Sequence, residues 1–151
     1  MPRESNKKLK VMTVFGTRPE IIKLSRLFAK LDQFVKHIMV HTGQSFDYEM
    51  NQVFFDQLKI RKPDYFLEVK AETLGEQIAK ILEKGEKVLI KEHPDAVLIL
   101  GDTNSGLLAI VAKRMKIHIF HMEAGNRCFD ENVPEEVNRK IIDHISDINL
   151  P

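Results

Sequence analysis

Leu98-Ile99-Leu100-Gly101-Asp102-Thr103-Asn104-Ser105 decides the fold, together with Phe120-His121-Met122-Glu123-Ala124-Gly125 about twenty residues later. Each is an apolar run that stops abruptly at a carboxylate beside small or turn-forming residues. Residues 96–100 are rich in Val, Ile and Leu and lack proline, the pattern of a strand buried on both faces. Ile117 to Met122 reads as a second such strand, and Gly106–Met115 has the length and apolar spacing of a crossover helix. The unit is strand–helix–strand with parallel strands. Asp102 and Glu123 then sit at the carboxyl ends of their strands. If the strands are neighbours, their axes lie roughly 4.8 Å apart. Open α/β sheets bind ligands at that edge, and two carboxylates converging there point to acid/base chemistry.

Working outward, residues 9–15 read as the first strand and Gly16-Thr17-Arg18-Pro19-Glu20 as the turn into a helix that runs to about Leu31. Pro19 suits the first helical position, and Glu20 suits the positive end of the helix dipole. A glycine turn at a helix N-terminus is a ready anion site, and Arg18 adds a fixed charge. Residues 37–42 form a second strand closed by Gly43-Gln44, followed by an amphipathic segment from Tyr48 to Leu58. Tyr65-Phe66-Leu67 is a short strand. Thr73 to about Glu92 is a long helix, with Thr73 and Glu76 as a capping box and Leu74, Ile78, Ile81, Leu82, Val88 and Leu89 as its buried face, weakened locally by Gly85. Pro134-Glu135-Glu136 opens another helix with Val137, Ile141, Ile142 and Ile145 as the core stripe. Ser146–Leu150 reads as a core strand, and a chain ending there points to a domain cut from something longer. The order argues a three-layer α/β fold with a parallel sheet, with residues 1–8 as a basic tail and 9–151 as the domain.

Composition narrows the function. The 151 residues carry a formal net charge of +1, so no charge surplus points to nucleic acid, and the basic start (Arg3, Lys7, Lys8, Lys10) reads as a solvated tail. No apolar run approaches the roughly 20 residues that span a bilayer. With Cys128 as the single cysteine, no internal disulfide forms, and a cytoplasmic location is expected. His37 and His41 have His-x-x-x-His spacing, but on a strand four residues span roughly 13 Å. No metal site is expected. No Gly-x-Gly-x-x-Gly or P-loop pattern occurs, which disfavours a dinucleotide cofactor and a nucleotide triphosphatase. For Asp102 an Asx turn or cap is the plain alternative, and for Glu135 the helix dipole, which Glu136 would serve equally well. Glu123 has no propensity reason to end an apolar strand.

Taken together, Gly16-Thr17-Arg18-Pro19-Glu20, Gly101-Asp102-Thr103, His121-Met122-Glu123-Ala124-Gly125 and Pro134-Glu135-Glu136-Val137-Asn138-Arg139 resemble, in order and approximate spacing, the non-hydrolysing UDP-N-acetylglucosamine 2-epimerase family. The resemblance covers residues 9–151. It implies the N-terminal half of a GT-B type fold, with the active site between this domain and a second, UDP-binding domain not contained in these residues. It implies inversion at C2 of a UDP-N-acetylhexosamine by elimination and re-addition of UDP, with no cofactor. Asp102, Glu123 and Glu135 match the family's catalytic carboxylates, with no assignment of base and acid. Arg18 and Lys23 match its basic positions near the diphosphate. Gly16, Thr17, Arg127, Asn138 and Arg139 lie in the matched motifs and are the further expected substrate contacts. A homodimer is expected on the same ground.

Two departures narrow the resemblance. Gln44 is followed by Ser45-Phe46-Asp47-Tyr48, where many members have a Gln-His pair in a loop that helps bind a regulatory substrate molecule. The loop from Glu123 to Glu135 reads Gly-Asn-Arg-Cys-Phe-Asp where many have Gly-Leu-Arg-Thr. Both lean toward the capsule and O-antigen branch, including enzymes that form UDP-N-acetyl-L-fucosamine. The competing readings are a non-catalytic remnant and a glycosyltransferase-like nucleotide-sugar binder, which would not need the full carboxylate set.

Overall fold

The computed structural model describes residues 8–43 and 48–151. In chain order these form β1 (Lys10–Phe15), α1 (Arg18–Phe34), β2 (Lys36–His41), α2 (Tyr48–Gln57), β3 (Tyr65–Phe66), α3 (Leu74–Glu92), β4 (Ala96–Leu100), a 3-10 turn (Asn104–Leu108), α4 (Ala109–Arg114), β5 (His118–Met122), α5 (Pro134–Ile145) and β6 (Ile148–Leu150). The sheet order is β3-β2-β1-β4-β5-β6, and every pairing is parallel. β4 and β5 are neighbours, with Leu100 opposite Met122. The two apolar runs therefore stop side by side. The chain leaves β1 toward β2 on one side and returns as β4 on the other, which makes the β1/β4 boundary the topological switch point.

Both sheet faces are covered around β1. Phe15, Ile21, Leu24, Phe28 and Phe55 pack α1 and α2 on one face. Met12, Ile81, Leu89, Ile99, Ala112 and Ile142 pack α3, α4 and α5 on the other. Each fully buried aliphatic of this kind contributes about 1.5–3 kcal/mol. Gly85 does not weaken α3: a Cβ there would lie 2.5 Å from Leu108 Cδ1, so the glycine lets the 3-10 turn pack directly on the helix backbone.

Several sequence expectations are corrected. The crossover after β4 begins as a 3-10 turn at Asn104, and regular α-helix starts only at Ala109. Leu74 and Val137 were expected in the core but are 59% and 46% exposed. At the start of α5 the inward positions are taken by Glu136 and Asn138, because that turn faces polar loop ends rather than the sheet. β6 is last in the strand order of the described residues, with Ile148 and Leu150 44% and 41% exposed. In the α3 cap Thr73 Oγ1 accepts from the Glu76 N–H at 3.2 Å, while the Glu76 carboxylate reaches the Glu72 N–H. Arg3 and Lys7 of the basic tail, and the Gln44–Asp47 stretch, lie outside the described residues.

Candidate active site

The site is built where β1, β4 and β5 end. Gly101 adopts φ +71°, and the next-strand counterpart Glu123 adopts φ +58°. Left-handed backbone is rare for a non-glycine residue and marks a position fixed by its surroundings. The Gly101 N–H donates to the Met122 carbonyl at 3.0 Å, so the β4–β5 ladder continues into the turn. A Cβ on Gly101 would lie 3.6 Å from Glu123 Oε2, which shows how closely the Glu123 carboxylate approaches the β4 turn.

Asp102, Glu123 and Glu135 all line one cleft of about 290 Å³, together with Lys23, Glu20 and Thr103. The three expected carboxylates thus come from three elements: the ends of β4 and β5, and the first turn of α5. Asp102 accepts from Arg139, whose Nη1 also reaches Glu136 Oε2 at 2.6 Å. Lys23 Nζ lies 2.6 Å from Glu123 Oε1, both partly exposed. Glu135 is exposed to the cleft, whereas Glu136 is fully buried. Burial pushes the Glu136 carboxyl up, but the Cys128 N–H and thiol and the Arg139 guanidinium outweigh it and hold the group below its usual range. The two adjacent acids are not interchangeable: one faces the cleft and the other anchors Arg139.

Glu20 is the residue that sequence reasoning under-read. It is buried, and its Oε2 accepts from the Gly16 N–H at 3.0 Å, the Thr17 N–H at 2.8 Å and the Thr17 hydroxyl at 2.8 Å. Its Oε1 accepts from the Thr103 hydroxyl at 3.1 Å, across the switch point. Burial raises its pKa against those hydrogen bonds. The Gly16 and Thr17 N–H groups, expected to cradle an anion, therefore already hold an internal carboxylate. The signal was the Thr17-x-x-Glu20 spacing, which is that of a capping box.

The other expected contacts divide. Arg18 lies over the Phe54 ring, 5.2 Å from its centroid, a cation–π arrangement that fixes the guanidinium at the sheet edge. Arg127 Nη1 is 2.6 Å from Asp143 Oδ2. Asn138 is buried, and its amide donates to the Asp102 carbonyl at 3.0 Å and to Asn104 Oδ1 at 2.9 Å. In this structure Arg127, Asn138 and Arg139 brace the cleft walls; Lys23 and the three acids line it. Among the described residues, no cluster of three His, Cys, Asp or Glu has metal-binding geometry. His41 is buried, its Nδ1 accepts from the Gly43 N–H at 2.8 Å, and burial lowers its pKa to about 4. No helix among the described residues is long and apolar enough to cross a membrane.

A cleft lined by several carboxylates and an ammonium holds the kinds of group that acid/base chemistry uses. The family model described as UDP-N-acetylglucosamine 2-epimerase matches residues 29–151. The chain belongs to this family. A UDP-N-acetylglucosamine 2-epimerase from Rickettsia bellii is 65% identical, with TM-score 0.88 over 94% of this chain and 38% of that one. The Methanocaldococcus jannaschii UDP-GlcNAc 2-epimerase, solved in complex with UDP-GlcNAc and UDP, is 45% identical with TM-score 0.85 over 91% of this chain and 39% of that one. The UDP-2,3-diacetamido-2,3-dideoxy-D-glucuronate 2-epimerase of Pseudomonas aeruginosa is 43% identical over 143 residues, 93% of this chain and 40% of the relative. The chain spans 38–40% of the length of such relatives. Its fold is the Rossmann-like N-terminal half of the GT-B type shared by these epimerases.

Proposed function

We propose that this chain is the N-terminal half of an epimerase that inverts C2 of a UDP-N-acetylhexosamine, and that a second, UDP-binding domain completes the site. The observation that carries this reading is the convergence of Asp102, Glu123 and Glu135 on one cleft with Lys23, in a chain of the epimerase family. Elimination of UDP across C1–C2 needs a base for the C2 proton, and re-addition needs an acid on the opposite face. Carboxylates from the β4 end, the β5 end and α5 are the candidate groups for these two steps. Lys23 and Arg18 supply positive charge for the departing diphosphate. On this reading the chain alone turns nothing over, because one wall of the cleft belongs to the second domain.

The sugar is assigned to cell-surface polysaccharide precursors. The similarity to an epimerase of a diacetamido uronic-acid nucleotide supports that branch, as does the Gly125-Asn126-Arg127-Cys128 loop; the 6-deoxy-L-hexosamine form is the specific candidate. A cytoplasmic homodimer goes with the same reading. The test is NMR of UDP-GlcNAc in D2O with this domain joined to its second domain. Loss of the C2 proton signal and appearance of the manno epimer are expected, with both abolished by Asp102→Asn or Glu123→Gln. Retained epimerisation in either variant would remove these acids from the chemistry. Absence of exchange with every UDP-N-acetylhexosamine supplied would leave a nucleotide-sugar binder.

A further inference from the structure

Behind the cleft wall lies a second set of polar groups that do not touch the cleft. His121, on β5, is fully buried. Its Nε2 is 2.6 Å from the Gly101 carbonyl, which can only accept, so this nitrogen carries the proton. Its Nδ1 lies 2.7 Å from Asp143 Oδ1, a close approach without hydrogen-bond alignment. The other Asp143 oxygen accepts from the Gly125 N–H at 3.0 Å and from Arg127 Nη1 at 2.6 Å. The Asp143 side chain is 10% exposed. Burial pushes its carboxyl up, and Arg127, the Gly125 N–H and His121 together hold it below the usual carboxylate range.

These contacts tie together three separate pieces of chain. Gly101 immediately precedes Asp102; Gly125 and Arg127 lie two and four residues after Glu123, whose backbone sits at φ +58°. Asp143 reaches both turns, one through His121 and one directly, from the middle of α5, the helix that carries Glu135 on its first turn. The three elements that supply the three cleft carboxylates are thus cross-braced at one side chain. A carboxylate is suited to this post because it alone offers two oxygens that accept from several donors at once. Neither the motifs nor the helix pattern singled out Asp143.

We propose that Asp143 is a positioning residue of the epimerase site: through His121 to Gly101, and directly to Gly125 and Arg127, it fixes the spacing between Asp102 and Glu123. It acts through these neighbours and not on the substrate. The assignment rests on the epimerase reading above. A misplacement of reacting groups by about 1 Å lowers turnover by roughly 100-fold, while groups that hold the nucleotide are untouched.

The test uses the complete two-domain enzyme and UDP-GlcNAc. Asp143→Ala is expected to lower kcat by roughly 10–100-fold, with KM changed less than about threefold. Asp143→Asn keeps the size of the side chain and one oxygen toward Gly125 and Arg127, so it is expected to restore most of kcat. His121→Asn keeps the contact to Asp143 but drops the one to Gly101; it is expected to lose kcat in the same way, and it serves where the alanine variant does not fold. Circular dichroism melts establish that each assayed variant is folded. A folded Asp143→Ala or His121→Asn enzyme with wild-type kcat overturns the assignment, as does a loss confined to KM. A wild-type enzyme that exchanges the C2 proton of no UDP-N-acetylhexosamine supplied overturns the epimerase reading itself, and this assignment with it.

Discussion

Lys23 Nζ stands 2.6 Å from Glu123 Oε1, joining the first turns of α1 to the end of β5 across 100 residues of sequence. Both side chains are too exposed for the pair to hold the fold together: Lys23 is 52% and Glu123 38% exposed. Exposed pairs of this kind contribute about 0–1 kcal/mol. The pair lies on the cleft wall, and under the proposed function Lys23 sets charge beside an acid of the chemistry.

Lys23→Met should therefore separate activity from stability. The urea midpoint should correspond to a change of no more than about 1 kcal/mol, while kcat/KM for UDP-GlcNAc in the two-domain enzyme should fall at least about tenfold. A stability loss with unchanged kcat/KM would make the pair structural.

His41 gives the fold a pH dependence with a defined sign. In the folded protein its pKa is lowered by burial to about 4, against 6.5 for the free side chain. Between those values the unfolded chain binds the proton and the folded one does not, so stability should fall as pH drops from 6.5 toward 4. The full effect is of order 3 kcal/mol. Glu20, with its raised pKa, works in the opposite sense, so the quantity to compare is the difference between two curves. Urea unfolding of wild type and His41→Phe from pH 7.5 to 4.5 should show a shallower acid slope in the variant. Parallel curves would exclude His41 as the source.

Gly85→Ala should destabilise the protein although alanine is the better helix former by about 1 kcal/mol. The new Cβ would lie 2.5 and 2.7 Å from the two Leu108 methyls and 3.1 Å from its Cγ. Leu108 is fully buried, so the side chain has no free volume to turn into. Overpacking of this kind costs about 1–3 kcal/mol, and a lowered thermal midpoint is expected. The double change Gly85→Ala with Leu108→Ala should lose less stability than the sum of the two separate losses, since removing Leu108 relieves the clash.

The parallel α/β class and the edge that carries the site were legible from two apolar runs ending in Asp102 and Glu123, because a buried parallel strand leaves a continuous hydrophobic signature. Glu135 was legible only through its motif: one residue away, Glu136 has the same charge and the same helix-dipole reason to be there, and only packing separates the cleft-facing acid from the buried anchor of Arg139. Glu20 looked like a helix-dipole residue because its Thr103 partner is 83 positions distant. Val137 illustrates the limit of periodicity, since the stripe on α5 turns from sheet to loop ends within one turn and local pattern does not record what lies opposite.

Cys128 has a practical consequence. It is the single cysteine of the sequence, it is exposed, and its N–H and thiol both meet Glu136, the acid that also grips Arg139. A thiol-reactive fluorophore can attach to this chain at one place only. Through Glu136 and Arg139 it would stand three contacts from Asp102, which places a spectroscopic reporter beside the cleft wall without any substitution in this chain.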